Sequence, residues 1–166
     1  MRAIPVINEH GYVVVVKSDG SISGIVTSAD VGDMLVGIAG PYIDLSECEM
    51  QLRRLVKSCL SHSRITEEEV ADAVAKHRRS YSGNVDDLPL GSLISIICLN
   101  GVREAIGVDY DPDTLLDQLK SIAAARNSVM HFRELNLKGQ AALGVTPALA
   151  AIVRHVCSRL EAQAKV

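Results

Sequence analysis

Beyond residue 41, apolar residues recur at helical spacing and predict a chain of α-helices. We expect five of them, at about 44–60, 66–77, 93–106, 111–137 and 147–164. Their starts are marked by Asp44 or Ser46, by a capping box of Thr66 and Glu69, and by Asp111-Pro112 and Thr146-Pro147, with proline in the first turn. Gly107 and Gly139 are the predicted stops of the third and fourth helices. Short connections between such helices are typical of an up-and-down bundle.

The first part of the chain follows a different pattern, with two short β-branched runs at 12–16 and 22–26. Ser18-Asp19-Gly20 between them is a turn signal, so we predict a β-hairpin. An apolar helical segment follows at 30–38.

The segment 37–41, Gly-Ile-Ala-Gly-Pro, is typical of a hinge between two parts of a chain. We therefore predict a small β-β-α element at 1–40 and a helical bundle at 41–166. The expected fold class is mainly α, an up-and-down helical bundle preceded by a β-hairpin and a helix.

A charged residue lies among the apolar members of the stripe on the fourth helix. Arg126 occupies a position where the pattern calls for a core leucine, and an unpaired charge under a packed interface is costly. Glu49 is a candidate partner, either as a structural ion pair or as a group that positions Arg126. The stripe consists of Leu115, Leu119, Ile122, Arg126, Val129 and Arg133.

Asn127 and His131 are four residues apart and should share one helix face. Arg126 is about 140° from His131 around an ideal helix, a gap that a long arginine side chain can bridge. The three side chains together offer a proton-transfer group, a forked cation and an amide.

Composition restricts the partners that such a site could have. The net charge is −3, so nucleic-acid binding would need a local basic patch, and residues 76–79 (Lys-His-Arg-Arg) are the densest one. Aromatic residues make up only 3%, which argues against stacking platforms for single strands.

The four cysteines are widely spaced and lack metal-ligand spacing, so we expect small buried residues in a reducing compartment and no metal site. The sequence shows neither a signal peptide nor an uninterrupted apolar run of 18 residues. A cytoplasmic location without membrane association is expected.

The hexapeptide 126–131, Arg-Asn-Ser-Val-Met-His, resembles the R-N-x-x-x-H signature of the HEPN superfamily. Two further patterns resemble that family, namely Glu49-x-x-x-Arg53 and the segment 88–94 before the helix that precedes the motif, where Ser92 replaces an acidic residue. The resemblance implies a metal-independent endoribonuclease that acts as a homodimer on RNA. It assigns catalysis to Arg126, Asn127 and His131, with Glu49 and Arg53 in support. Toxin or defence members of the family imply a possible antitoxin or regulatory protein as partner.

Residues 24–30, Gly-Ile-Val-Thr-Ser-Ala-Asp, resemble the second half of a cystathionine-β-synthase (CBS) motif. The resemblance implies that Thr27 and Asp30 contact the ribose and phosphate of an adenine nucleotide, the one cofactor to be considered. Half a cleft cannot bury a ligand, and capping of the following helix is the competing interpretation of both residues.

Two functions from different classes follow. In the first, His131 is a general base or acid for attack by a ribose 2′-hydroxyl, Arg126 stabilises the phosphorane, and a dimer supplies the second histidine. In the second, the chain is a non-catalytic dimeric module that senses an adenine nucleotide or docks a partner protein. A solvent-accessible His131 would favour the first, and a His131 sealed in an apolar interface the second.

Overall fold

The computed structural model describes residues 3–77, 79–107, 111–131 and 133–163, without the side chains of Ile38 and Pro112. The described chain is mainly helical and contains one two-stranded antiparallel sheet, which confirms the predicted mainly α class with an N-terminal hairpin. It divides into two compact units, residues 1–41 and residues 42–166. The division lies one residue beyond the predicted boundary.

The N-terminal unit contains helix α1 (Ala3–His10), strands β1 (Tyr12–Val16) and β2 (Ile22–Thr27), and the start of helix α2 (Ser28–Ser61). The hairpin is confirmed, with Tyr12 opposite Thr27 in the register. Its turn is closed by a hydrogen bond from the Lys17 N–H to the Ser21 carbonyl (2.8 Å). Helix α1 was not predicted, because it is short and buries only Ile7, so its apolar period is weak.

The prediction of a hinge at 37–41 and of a new helix at Asp44 or Ser46 is wrong. Helix α2 runs from Ser28 to Ser61 with Pro41 inside it. Inside a helix, proline costs about 3 kcal/mol and glycine about 1 kcal/mol relative to alanine. These costs are intrinsic helix propensities, which the structural context of a long helix can override.

In the described residues, the second unit contains the rest of α2, five further α-helices and a short 3₁₀ helix at Val85–Asp87. Three predicted boundaries are confirmed: the Thr66 capping box, the start at Asp111-Pro112 and the stop at Gly107. The predicted helix 93–106 is instead two helices, broken at Cys98 and Leu99, where the extended Leu99 is the N-cap of the second helix. The five are α3 (Glu67–Ala75), α4 (Leu90–Ile97), α5 (Asn100–Ile106), α6 (Pro112–Met130) and α7 (Leu137–Gln163).

Two predicted boundaries near the C-terminus are wrong. Helix α6 ends at Met130 rather than near Gly139, and α7 begins at Leu137 rather than at Pro147. The Asn136 side chain accepts the Gly139 N–H (2.8 Å) and so supplies the cap that sequence analysis placed at Thr146. Thr146 instead bonds back to the Ala142 carbonyl within the helix (2.8 Å). The predicted end near Ala164 lies outside the described residues.

The core of the second unit is aliphatic and centres on α4. Leu93 and Ile96 of this helix are fully buried, together with Leu55 and Val56 of α2 and Leu119 of α6. At the surface, ion pairs of Arg54 with Glu161 and of Arg154 with Glu47 join α2 to α7.

By length and composition alone, α7 is the one described helix that could cross a membrane, with a mean hydropathy of 1.4 in its most apolar window. Core helices pass the same test, and α7 places Leu149, Val153, Val156 and Leu160 in the core.

We expect Gly101→Ala to destabilise the protein by about 3 kcal/mol, the upper end of the usual cost of overpacking. A Cβ atom at this position would lie 1.8 Å from the Arg64 carbonyl oxygen, and backbone cannot yield as a flexible side chain would. Gly91→Ala is the matched control, since its Cβ meets nothing within 4 Å and alanine favours a helix. Urea unfolding of both variants measures the difference, and equal midpoints would contradict the expected clash.

Candidate functional site

Helix α6 ends within the hexapeptide, with Arg126 to Met130 in the helix and His131 just beyond it. Its start is fixed by the Asp111 carboxylate, which accepts the Thr114 N–H (2.8 Å) and hydroxyl (2.7 Å). Leu115, Leu119 and Ile122 are buried as the apolar stripe predicts. Arg126, the next member of the stripe, is not buried, since 38% of its side chain is exposed.

Glu49 of α2 lies between two arginines. Its Oε1 accepts a 2.6 Å hydrogen bond from an Arg53 Nη, and its Oε2 lies 3.9 Å from the Arg126 Nε. Arg53 also donates to the Leu88 carbonyl (2.8 Å). One carboxylate therefore faces two guanidinium groups, and the cluster keeps a net positive charge.

The two arginines are held in different ways. Arg53 is committed to Glu49 and Leu88, whereas a separation of 3.9 Å is too long for a hydrogen bond between Glu49 and Arg126. Among the described residues, none accepts a hydrogen bond from the Arg126 guanidinium. Glu49 thus restrains Arg126 by charge while the donors of its fork stay uncommitted.

Arg126 forms part of the wall of a pocket of about 470 Å³ between α2 and α6. The Tyr42 hydroxyl donates to the Val129 carbonyl (2.8 Å) and so ties the two helices together at this end. The pocket is lined by Tyr42, Leu45, Ser46, Glu49, Met50, Arg53, Arg126 and Met130. Tyr42 and Met50 carry no charge and match no motif, and Met130 lies at a variable position of the hexapeptide, so no sequence signal indicated these three as pocket residues.

His131 lies just past the end of α6, not inside a longer helix as predicted. Its backbone N–H donates to the carbonyls of Asn127 and Ser128, both at 3.2 Å, so it remains one turn beyond Asn127. The side chains of His131 and Asn127 are exposed. The described chain therefore offers both side chains to solvent, and Arg133 is exposed in the following loop.

In the N-terminal unit, Thr27 and Asp30 are hydrogen-bonded to each other at the start of α2. The Asp30 carboxylate accepts the Thr27 N–H and hydroxyl, both at 2.7 Å, and the Thr27 hydroxyl lies 3.3 Å from the Asp30 N–H that it accepts. Hydrogen bonds from Thr27 lower the pKa of Asp30. This is a capping box, so the capping interpretation is confirmed, and nucleotide contact remains a prediction.

The cysteines occupy the positions expected of small apolar residues. Cys48, Cys59 and Cys157 are buried, Cys98 is half-buried, and all four are free thiols. Burial raises the pKa of Cys48 and of Cys59 to about 11, which keeps both protonated at neutral pH. No group of three His, Cys, Asp or Glu residues suited to a metal ion occurs in the described ranges.

We expect the stabilising effect of Asp111 to depend on pH. Hydrogen bonds from Thr114 lower the pKa of Asp111 in the folded chain. A lowered pKa means that the stabilisation is complete above the ordinary aspartate pKa and is lost as pH falls through the lowered value. The unfolding midpoints of the parent and of Asp111→Ala should differ at pH 7 and converge in acid. Asp72→Ala, an exposed change in α3, serves as control, and a constant gap between parent and Asp111→Ala would contradict the expectation.

In comparisons with known proteins, no family model, no curated protein and no solved structure matches the chain.

Proposed function

We propose that this chain is a metal-independent endoribonuclease of the HEPN kind, with a HEPN-like helical bundle and a composite active site in a homodimer. The observation that carries the proposal is the state of the motif residues at the end of α6. Arg126 is restrained by Glu49 with its donors uncommitted, and Asn127 and His131 are exposed beside it in sequence. An arginine with only a structural role would donate the hydrogen bonds of its guanidinium group to protein acceptors, as Arg53 does.

The reaction needs no metal ion. The ribose 2′-oxygen attacks the adjacent phosphorus, its proton passes to a neutral histidine, and the 2′-O–P bond forms as the P–O5′ bond breaks. A protonated histidine gives its proton to the leaving 5′-oxygen. Arg126 donates forked hydrogen bonds to the equatorial phosphorane oxygens, and Asn127 orients the phosphate.

One chain supplies one motif histidine, whereas the reaction uses a base and an acid. A two-fold dimer that brings the two α6 ends together would supply both. The exposure of His131 and Asn127 leaves these side chains accessible to a partner copy. The monomer should therefore be inactive, and an enzyme of this kind in a toxin or defence role would be held in check by an antitoxin or regulatory protein.

The test is incubation of the full chain with single-stranded RNA of mixed sequence in the presence of EDTA. The expected products carry 2′,3′-cyclic phosphate and 5′-hydroxyl ends, because the 2′-oxygen is the nucleophile. DNA of the same sequence is the control and should stay intact, since it lacks that hydroxyl. Absence of RNA cleavage by an intact dimer, or equal cleavage of the DNA, would refute the proposal.

The second candidate is a non-catalytic dimeric module, with a second copy of the chain as its docking partner. The observation that favours it is the exposure of large apolar side chains in the N-terminal unit, a pattern that marks interaction surfaces. These are Tyr12, Val14, Val15, Val16, Ile22, Ile25, Met34, Leu35 and Val36. A concentration-dependent dimer that leaves RNA uncut would support this candidate.

A further inference from the structure

A second pocket, of about 420 Å³, lies between α3, α4 and α6 and combines an apolar floor with a basic rim. None of the described residues that line it is acidic. The floor is formed by Ile94, Leu116 and Ala123, and the rim by Lys76, His77 and Lys120. Lys76 and His77 belong to the predicted basic cluster 76–79, of which Arg78 lies outside the described residues.

One residue of the rim is fixed by a hydrogen bond, and the two lysines are exposed. The His77 Nε2 and the Ser95 Oγ are 2.6 Å apart, and this hydrogen bond fixes the ring at the end of α3 against α4. Lys120 lies 4.0 Å from Asp117, and both side chains are more than half exposed, so their pairing is weak. Both lysines can therefore offer their charge to a ligand.

The pocket lies on the α6 face that leads to the candidate active site. Leu116, Lys120, Ala123 and Asn127 follow each other at steps of four, three and four, which places them on one stripe. At 1.5 Å per residue, Lys120 is about 16 Å from His131 along the helix axis. That is the length of roughly five stacked nucleotides at about 3.4 Å each.

We propose that this pocket binds one nucleotide of a single-stranded RNA, with its flanking phosphates on Lys76 and Lys120 and its base against the apolar floor. The strand then runs along α6 and delivers a phosphate to Asn127 and His131. This inference rests on the proposed ribonuclease function. The pocket supplies the local positive charge that an acidic chain needs to bind RNA. A free nucleotide offers the same chemistry, and the experiment separates the two sources.

The experiment measures binding without cleavage, using the full chain with His131→Ala and a short labelled single-stranded RNA of mixed sequence. Adding Lys76→Gln and Lys120→Gln should raise the Kd by about tenfold or more and reduce the salt slope by about 1.4, two phosphate contacts at about 0.7 each. Arginine at both positions should restore the affinity. The matched control, Lys17→Gln with Lys57→Gln, removes the same charge elsewhere and should change the Kd by no more than about twofold.

Nucleoside monophosphates, with nucleosides as their control, provide the second arm. Displacement of the RNA by the monophosphates alone, lost in the glutamine variant, would support the pocket and identify the free nucleotide as a ligand. An effect of the glutamines on RNA affinity without such displacement would support the pocket as a strand site. Equal RNA affinities of the two glutamine pairs would overturn the inference.

The failure of this inference can be told from failure of the proposed function. If the lysine substitutions weaken RNA binding and the parent chain cuts no RNA, the pocket stands and the ribonuclease does not. If the parent cuts RNA and the glutamine pair leaves KM unchanged, the ribonuclease stands and the pocket does not.

Discussion

His131→Ala is expected to lower the rate of RNA cleavage by about 10²- to 10⁴-fold, the usual contribution of a positioned proton-transfer group. In the proposed dimer both roles fall to this residue, so a single substitution removes base and acid together. Its side chain is exposed and begins beyond the last turn of α6, so stability should change little. The measurement is the initial rate on single-stranded RNA in EDTA, with unfolding in urea as the check on folding.

His155→Ala is the matched control, because His155 is also exposed but lies within α7. It should keep the parent rate. Mixing His131→Ala with a chain that retains His131 should give heterodimers that hold a single motif histidine, and activity well below half of the parent's would support a shared site. Full activity of the His131→Ala homodimer would remove the histidine from the mechanism.

Arg126→Ala is expected to lower the cleavage rate by about 10²- to 10³-fold, comparable to the loss of one oxyanion-hole donor. Arg126→Lys should recover part of this rate only, because an ammonium group keeps the charge and loses the fork. Glu49 should remain satisfied in both variants, since Arg53 stays 2.6 Å from its Oε1. The fold should therefore survive, and kcat rather than KM should carry the loss.

Arg133→Ala is the control for Arg126, because Arg133 is exposed in the loop after His131 and belongs to no described ion pair. It should keep the parent rate. A large loss of stability in Arg126→Ala, with cleavage of the remaining folded fraction unchanged, would show that Arg126 serves the fold and not the reaction.

Much of the secondary structure could be predicted from the sequence, because its signals are local and involve only a few residues each. The hairpin, the Thr66 capping box and the Asp111-Pro112 start were predicted because each is a short-range hydrogen-bonding or steric rule. The wrong boundaries are those at which a residue that usually ends or starts a helix lies inside a long one. Proline is typical of a helix boundary, yet Pro41 and Pro147 both lie inside helices.

Part of the candidate site could also be predicted from the sequence. The interruption of the apolar stripe at Arg126 indicated a charged partner, and Glu49 lies 3.9 Å away. Its additional role as acceptor for Arg53 could not be predicted, because residues four apart on one helix can pair with each other or with a third group. The end of α6 at Met130 could not be predicted, because no glycine or proline lies between Met130 and Gly139 to mark a stop.

The burial of α4 has a consequence for amide hydrogen exchange. Six of its eight residues are buried, so its amides should exchange with deuterium only when the whole second unit unfolds. The last turn of α6 differs from α4, because it is only partly buried and is followed by a loop. The amides from 127 to 131 should exchange through local fraying, at a free energy well below that of α4. The end of the molecule that carries Asn127 and His131 can thus rearrange around a bound strand without the unfolding of α4.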